Sequence, residues 1–214
     1  MNLGLLLIAA ALCLAGYNLW DDQRAGQVAQ ESLKKVVREI PEGIESVEKQ
    51  LEHIVSLGEV EIPDFVLNPE MDMPEKEING QSYIGVLEIP KLELELPIIS
   101  EWNDERLKIS PCRYVGSAYT GNLILSGHSY VNHFRYIRKL ENGDRVNFTD
   151  MDGNRFVYQV VSSEIIDASD VEGMLAGDWD LTLFTCTPGG RSRNTVRCHL
   201  VEDENAWMKQ VGSY

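Results

Sequence analysis

Cys186 is the residue with the most chemistry to offer. It ends the mostly apolar, β-branched run Leu181-Thr-Leu-Phe-Thr-Cys186, and Pro188-Gly189-Gly190 then breaks regular structure before a second apolar run, Val196 to Val201. The pattern predicts strand, cysteine, loop, strand. Arg191, Arg193 and Arg197 follow closely, and a cation beside a thiol favours the thiolate, the form that attacks a carbonyl carbon. The competing reading is a small buried hydrophobe, the commoner fate of an unpaired cysteine in a strand. A base would separate the two readings. His128 stands just past another predicted strand, Asn122-Leu-Ile-Leu-Ser126, where a rigid scaffold rather than a mobile tip would hold it. A nearby histidine or cation could raise the reactive thiolate fraction, although by composition alone a lone histidine is more often structural than catalytic. His133 and His199 are rival histidines; His133 falls in a predicted helix from Tyr130 to Leu140 and reads as packing or surface.

Strands must bring these residues together, since they lie far apart in the chain. Tyr83 to Pro90 and Lys91 to Ile99 alternate apolar with polar or small residues, the two-residue period of half-buried strands. Gly143 to Thr149 and Asn154 to Ile166 flank Asp150-Met-Asp-Gly153 and predict a hairpin. The acidic turn lacks the acceptor spacing of a calcium loop and reads as solvated. Short helices are expected over Asp104 to Ile109 and Ala168 to Gly177. Seven or eight strands with only short helices make an all-β domain, a closed barrel or a sandwich.

Three stretches, in order, resemble the sortases, the cysteine transpeptidases of Gram-positive surfaces. Tyr83-Ile-Gly-Val-Leu-Glu-Ile-Pro-Lys91 followed by Leu96-Pro97 is similar to their opening strands, Ser126-Gly127-His128 to the segment that supplies the histidine, and Thr182-Leu-Phe-Thr-Cys186 with a following arginine to the TLxTC...R motif. The resemblance selects the closed barrel. It implies Cys186 as nucleophile, His128 as acid and base, and an arginine for the oxyanion; Arg197, in Asn194-Thr-Val-Arg197, matches the family pattern, with Arg193 as its rival. It also implies the partners: secreted proteins bearing an LPxTG-like sorting signal, and an amine acceptor on a peptidoglycan precursor or a lysine. No cofactor and no metal are implied. A barrel that binds without turnover, or a cell-wall cysteine peptidase, are the alternatives.

Leu3 to Trp20 carries no ionisable side chain and is long enough to cross a membrane as a helix. A basic leader and a small-x-small cleavage site are both missing, so an uncleaved anchor over residues 1–21 is preferred to a signal peptide. Charge does not decide its orientation; the resemblance puts the remainder outside the cell, a single-pass arrangement. Valines and isoleucines at three- and four-residue spacing from Val28 to Val55 predict two helical pieces split near Pro41, a stalk that includes His53. Glu59 to Gly80 reads as an acidic, proline-rich linker. These make residues 22–81 a stalk and linker and 82–214 the catalytic domain. The 214 residues carry a net charge of −15, which argues against nucleic acid, and the four cysteines form no zinc pair or disulfide framework, although Cys112 and Cys198 could bond.

Overall fold

Eight strands close into a barrel, and one long helix lies against its side. The computed structural model describes residues 2–41 and 63–201. Helix α1 runs unbroken from Asn2 to Glu39, followed by α2 (Asp64–Leu67), β1 (Lys76–Ile78), β2 (Gln81–Ile89), β3 (Leu94–Ile99), α3 (Asp104–Leu107), β4 (Cys112–Val115) and β5 (Leu123–Ser126). After them come β6 (Arg145–Asp150), β7 (Arg155–Asp167), α4 (Val171–Leu175), β8 (Leu181–Cys186) and β9 (Ser192–Leu200). The barrel order is β2-β3-β4-β5-β8-β9-β7-β6, and β6 closes it by pairing Asp150 to Asn147 with Gly85 to Glu88 of β2. β1 prolongs the same edge of β2 outside the closure. The pairings β3–β4 and β5–β8 are parallel and the rest antiparallel. This is the closed barrel of seven to eight strands expected from the sequence.

Alternation fills it. On β5 and β8 the residues Leu123, Leu125, Leu181 and Leu183 point into a core shared with Phe148, Phe156, Tyr158 and Val196. Their neighbours Ile124 and Phe184 join Ile166, Met174 and Tyr114 in a separate cluster on the outer face. One sheet thus has two apolar faces over this patch, the inner one sealed and the outer one edged by exposed Trp102, whose ring lies 5.5 Å from that of Tyr114.

The predicted hairpin forms as β6 and β7, but its turn is not simply solvated. Asp150 is fully buried and accepts hydrogen bonds from the amides of Asp152 and Asn154 and from the Tyr119 hydroxyl at 2.7 Å. The helix expected over Tyr130 to Leu140 is instead a series of turns ending in a 3₁₀ turn, Ile137–Lys139. Phe134, Ile137 and Leu140 are buried at a spacing of three, the period of i→i+3 bonds such as Ile137 N to Phe134 O and Leu140 N to Ile137 O.

The first stalk piece continues the apolar helix without a break and packs on the barrel. Asp22, Ala25, Ala29, Ser32, Leu33 and Val36 form a buried stripe at helical spacing, with Leu33 and Val36 set against Tyr83, Ile99, Cys112 and Met151. The second piece, with His53, lies outside the described residues. Part of the expected linker is folded onto the barrel: Phe65 is 3% exposed and stacks on Tyr119 at 4.5 Å. Proline and acidic residues dominate that stretch and hide its isolated core anchors, Phe65 and Met73. The described cysteines are all free, with Cys198 in the barrel core and Cys112 in the cluster under α1, so the two are not bonded.

Toward the other end of α1, every residue from Gly4 to Trp20 is exposed. Among the described residues this is the one helix long and apolar enough to cross a membrane. Tyr17 and Trp20 lie 6.0 Å apart where the apolar run stops, a position suited to aromatic side chains at a membrane–water boundary.

Candidate active site

β8 lies between β5, parallel to it, and β9, antiparallel to it, and so aligns the ends of three chain segments. In the parallel pair Ser126 stands opposite Phe184, and Gly127 N donates to Phe184 O at 3.0 Å, which carries the pairing past the end of β5. Two positions further on each chain are His128, just beyond the end of β5, and Cys186, the last residue of β8. Both are partly exposed.

On the other side the β8–β9 hairpin is tight. Thr187 N donates to Ser192 O at 2.9 Å and Gly190 N to Thr187 O at 2.8 Å, with Gly189 and Gly190 at φ +86° and +71°, where a side chain would be strained. This turn pairs Cys186 with Arg193. Directly opposed residues of an antiparallel pair share a face, so thiol and guanidinium leave the sheet on the same side. Arg193 is partly exposed, and its Nη1 donates to the carbonyls of Gly190 and Ser192 at 3.0 and 3.2 Å. Parity along β8 and β9 puts Cys186 and Arg193 on the outer face of the barrel, at one rim, beyond the Ile124–Phe184–Met174 patch, and His128 follows β5 at the same end.

Arg197 is elsewhere. Its cross-strand partner is Thr182, four residues back along β8 from Cys186, roughly 13 Å at strand rise. It is 2% exposed, and its donors are engaged: Nε on Glu164 at 2.8 Å, Nη1 on Met174 O at 2.8 Å and Thr182 Oγ1 at 3.0 Å, Nη2 on Gly173 O at 2.7 Å. The expectation that Arg197 lies beside the thiol is therefore corrected. It ties α4 to the barrel wall, and Arg193 occupies the position opposite Cys186. The hairpin itself holds the missed signal: with Pro188 to Arg191 as the loop, Thr187 pairs with Ser192 and Cys186 with Arg193.

Burial holds the His128 pKa below the ordinary histidine value, with Lys108 pushing the same way and the carboxylates of Asp104 and Asp21 opposing. A neutral imidazole within reach of a thiol can accept its proton and later return it. His133 is almost fully buried, and burial together with the nearby His128 lowers its pKa to about 4. It packs rather than reaching the rim, as the sequence suggests. His199, the other rival, is half-exposed on β9 and bonds Asp180 at 3.0 Å.

Residues 87–201, more than half of the chain, match the family model described as the Sortase domain. The chain belongs to the sortase family. Its members are cysteine transpeptidases, in keeping with a thiol, an imidazole and a guanidinium at one rim. Sortase D of Bacillus subtilis (strain 168) is 28% identical over 202 residues, covering 92% of this chain and 94% of that one. Among solved structures, a Clostridium perfringens sortase D5 transpeptidase superposes with a TM-score of 0.56 at 20% identity, covering 82% of this chain and 99% of that one. Listeria monocytogenes sortase A does so with 0.51 at 23%, covering 56% of this chain and 87% of that one. At those identities the superpositions speak for the barrel alone.

Proposed function

We propose that this sortase joins a secreted protein to an amine on the cell surface through a thioester on Cys186. The observation that carries the reading is the strand register, which sets Cys186 opposite Arg193 on one side and ends, on the other, at Ser126 and Phe184, two residues before His128 and Cys186. Residues 82–201 carry this chemistry. The apolar start of α1 anchors the chain in the membrane by a single pass, with the barrel outside the cell.

His128 takes the thiol proton, and the sulfur attacks the Thr-Gly carbonyl of an LPxTG-like sorting signal. Arg193 donates to the resulting oxyanion; among the described residues only its Nη1 is hydrogen-bonded, while its charge also acts on Asp167. As the C–N bond breaks, the proton passes from His128 to the leaving glycine amine, and the acyl group stays on sulfur. An acceptor amine then attacks the thioester, gives its proton to His128 and leaves as a new amide, while the thiol is restored. The outer patch of Ile124, Phe184, Met174 and Tyr114 offers an apolar bed for the leucine and proline of the signal. An amine on a peptidoglycan precursor, or a lysine of another surface protein, is the acceptor.

Mass spectrometry of the barrel incubated with an LPxTG-like peptide checks this. An adduct of the Leu-Pro-x-Thr acyl mass on the peptide containing Cys186, discharged to a new amide by added triglycine, is the expected result. Hydrolysis without transfer would mean a peptidase, and no adduct with any of a panel of sorting peptides would mean a binding protein.

A further inference from the structure

The chain that follows His128 is held from outside the barrel, by α1. Tyr130 donates its hydroxyl to Asp21 Oδ2 at 2.7 Å, Val131 N donates to Asp22 Oδ1 at 2.7 Å, and Arg135 Nη1 lies 3.4 Å from Asp22 Oδ2. One turn further along the helix, Gly26 faces Asn132 so closely that a Cβ there would strike its side-chain amide, so the Asn132 side chain packs on the helix where Gly26 leaves room. The gripped segment is in turn tied to the histidine. Phe134 N donates to His128 O at 3.1 Å, Arg135 Nε to Ser129 O at 2.9 Å, and the Tyr130 ring lies 4.8 Å from the imidazole. A continuous path runs from the Asp21 carboxylate through the Tyr130 phenol to the face of His128.

We propose that Asp21, Asp22 and Tyr130 are positioning residues for His128, so that the membrane helix is a working part of the active site as well as its tether. This rests on the reading of His128 as the partner of Cys186. The argument is one of stiffness. His128 lies just beyond the end of β5, on chain whose regular pairing has stopped, and a turn segment does not by itself hold an imidazole within a few tenths of an ångström. A helix anchored by Leu33 and Val36 does, because its two carboxylates are rigidly placed relative to the barrel and each accepts a bond from the segment. Helix α1 also leaves its exposed apolar stretch at Trp20, one residue before Asp21, so the grip sits immediately at the membrane-facing end of the packed helix. A pull or tilt on the membrane segment is therefore delivered to the histidine first.

Charge gives the arrangement a signature that packing alone lacks. The charged groups acting on His128 are Asp21 of α1 and Asp104 and Lys108 at α3, while His133, of its own segment, lies near it. Replacing Asp21 by asparagine keeps an acceptor for Tyr130 and removes a negative charge, so His128 must titrate at lower pH.

The test uses the full chain in detergent micelles, with Cys13→Ser so that Cys186 is the accessible thiol, and follows alkylation by iodoacetamide together with the NMR titration of His128. Loss of the Tyr130 or Asp22 bond is expected to slow alkylation near neutral pH about tenfold, the equivalent of one hydrogen bond to a charged group. Tyr130→Phe removes a single hydroxyl and guards against misfolding of Asp22→Ala. Asp22→Asn, which still accepts from Val131 N, restores most of the rate, and Asp21→Asn moves the His128 titration down. Wild-type alkylation in both Tyr130→Phe and Asp22→Ala, with an unmoved titration in Asp21→Asn, overturns the proposal. If His128→Ala itself leaves the alkylation profile unchanged, the pairing of His128 with Cys186 is what fails.

Discussion

Arg193 and Arg197 sit four residues apart on β9, project from the same face and have opposite situations. Arg197 is sealed, and its guanidinium is spent on Glu164, Thr182 and the carbonyls of Gly173 and Met174. Arg193 stands at the rim opposite Cys186, with Nη1 alone held by loop carbonyls. The difference shows what an oxyanion donor requires besides charge. A guanidinium that already satisfies buried acceptors would have to strip them bare to reach a new anion, at a cost of about 1–3 kcal/mol for each acceptor left unpaired. One with spare donors has no such debt.

The sharpest way to break the comparison is to truncate each arginine in turn. Arg193→Ala is expected to lower turnover about a hundred- to thousandfold, the usual loss for one oxyanion donor, with little change in melting temperature. Arg193→Lys keeps the charge without the planar fork and falls between. Arg197→Met does the reverse. It leaves the carbonyls of Gly173 and Met174 without donors and costs about 2–4 kcal/mol of stability, read as a melting point roughly 5–12 °C lower. Because α4 carries Met174 of the outer apolar patch, loosening it raises KM for the sorting peptide more than it lowers kcat. A collapse of kcat in Arg197→Met with Arg193→Ala near wild type would invert the assignment.

The histidines divide in the same way. His128 is partly exposed just beyond β5, whereas His133 is enclosed beneath α1. The folded pKa of His133, about 4, lies below its unfolded value of about 6.5. The unfolded chain therefore takes up the proton first as pH falls. Stability from keeping this ring neutral is complete above about pH 6.5 and declines towards pH 4, by about 3 kcal/mol in all. Denaturant melts across that range check it: His133→Phe should lose this part of the slope, while His128→Ala should keep it. His128 shows itself in kinetics instead. Its pKa is lowered, so the acid limb of kcat/KM should fall below pH 6.5.

Much of the barrel could be read from the chain because its code is local. Alternation in Tyr83 to Ile99 and the Asp-Gly turn at Asp152-Gly153 each specify a strand or hairpin within a dozen residues. The strand places of Cys186, at the end of β8, and His128, just past β5, were legible for the same reason. Which of Arg193 and Arg197 stands opposite Cys186 was not, since both are arginines of the same parity and motif spacing favoured Arg197; it depends on how tightly Pro188-Gly189-Gly190 turns. Hardest to see was the grip of Asp21 and Asp22 on residues 130–135, because nothing in a pair of aspartates after an apolar run names a contact more than a hundred residues away.

The smallest expected effect sharpens the arginine comparison from the other partner. Glu164 accepts from Arg197 Nε at 2.8 Å but is 46% exposed, so water already meets much of its charge. Glu164→Gln retains an acceptor and should cost under about 1 kcal/mol, the range of exposed ion pairs. Carbonyl bonds and burial, rather than the salt bridge, would then be what holds Arg197, and the melting points of Glu164→Gln, Arg197→Met and the double variant decide it. If the double variant is no less stable than Arg197→Met while Glu164→Gln alone loses as much as Arg197→Met, the ion pair dominates. The α4 anchor would then weaken with added salt, which a buried guanidinium on backbone carbonyls resists.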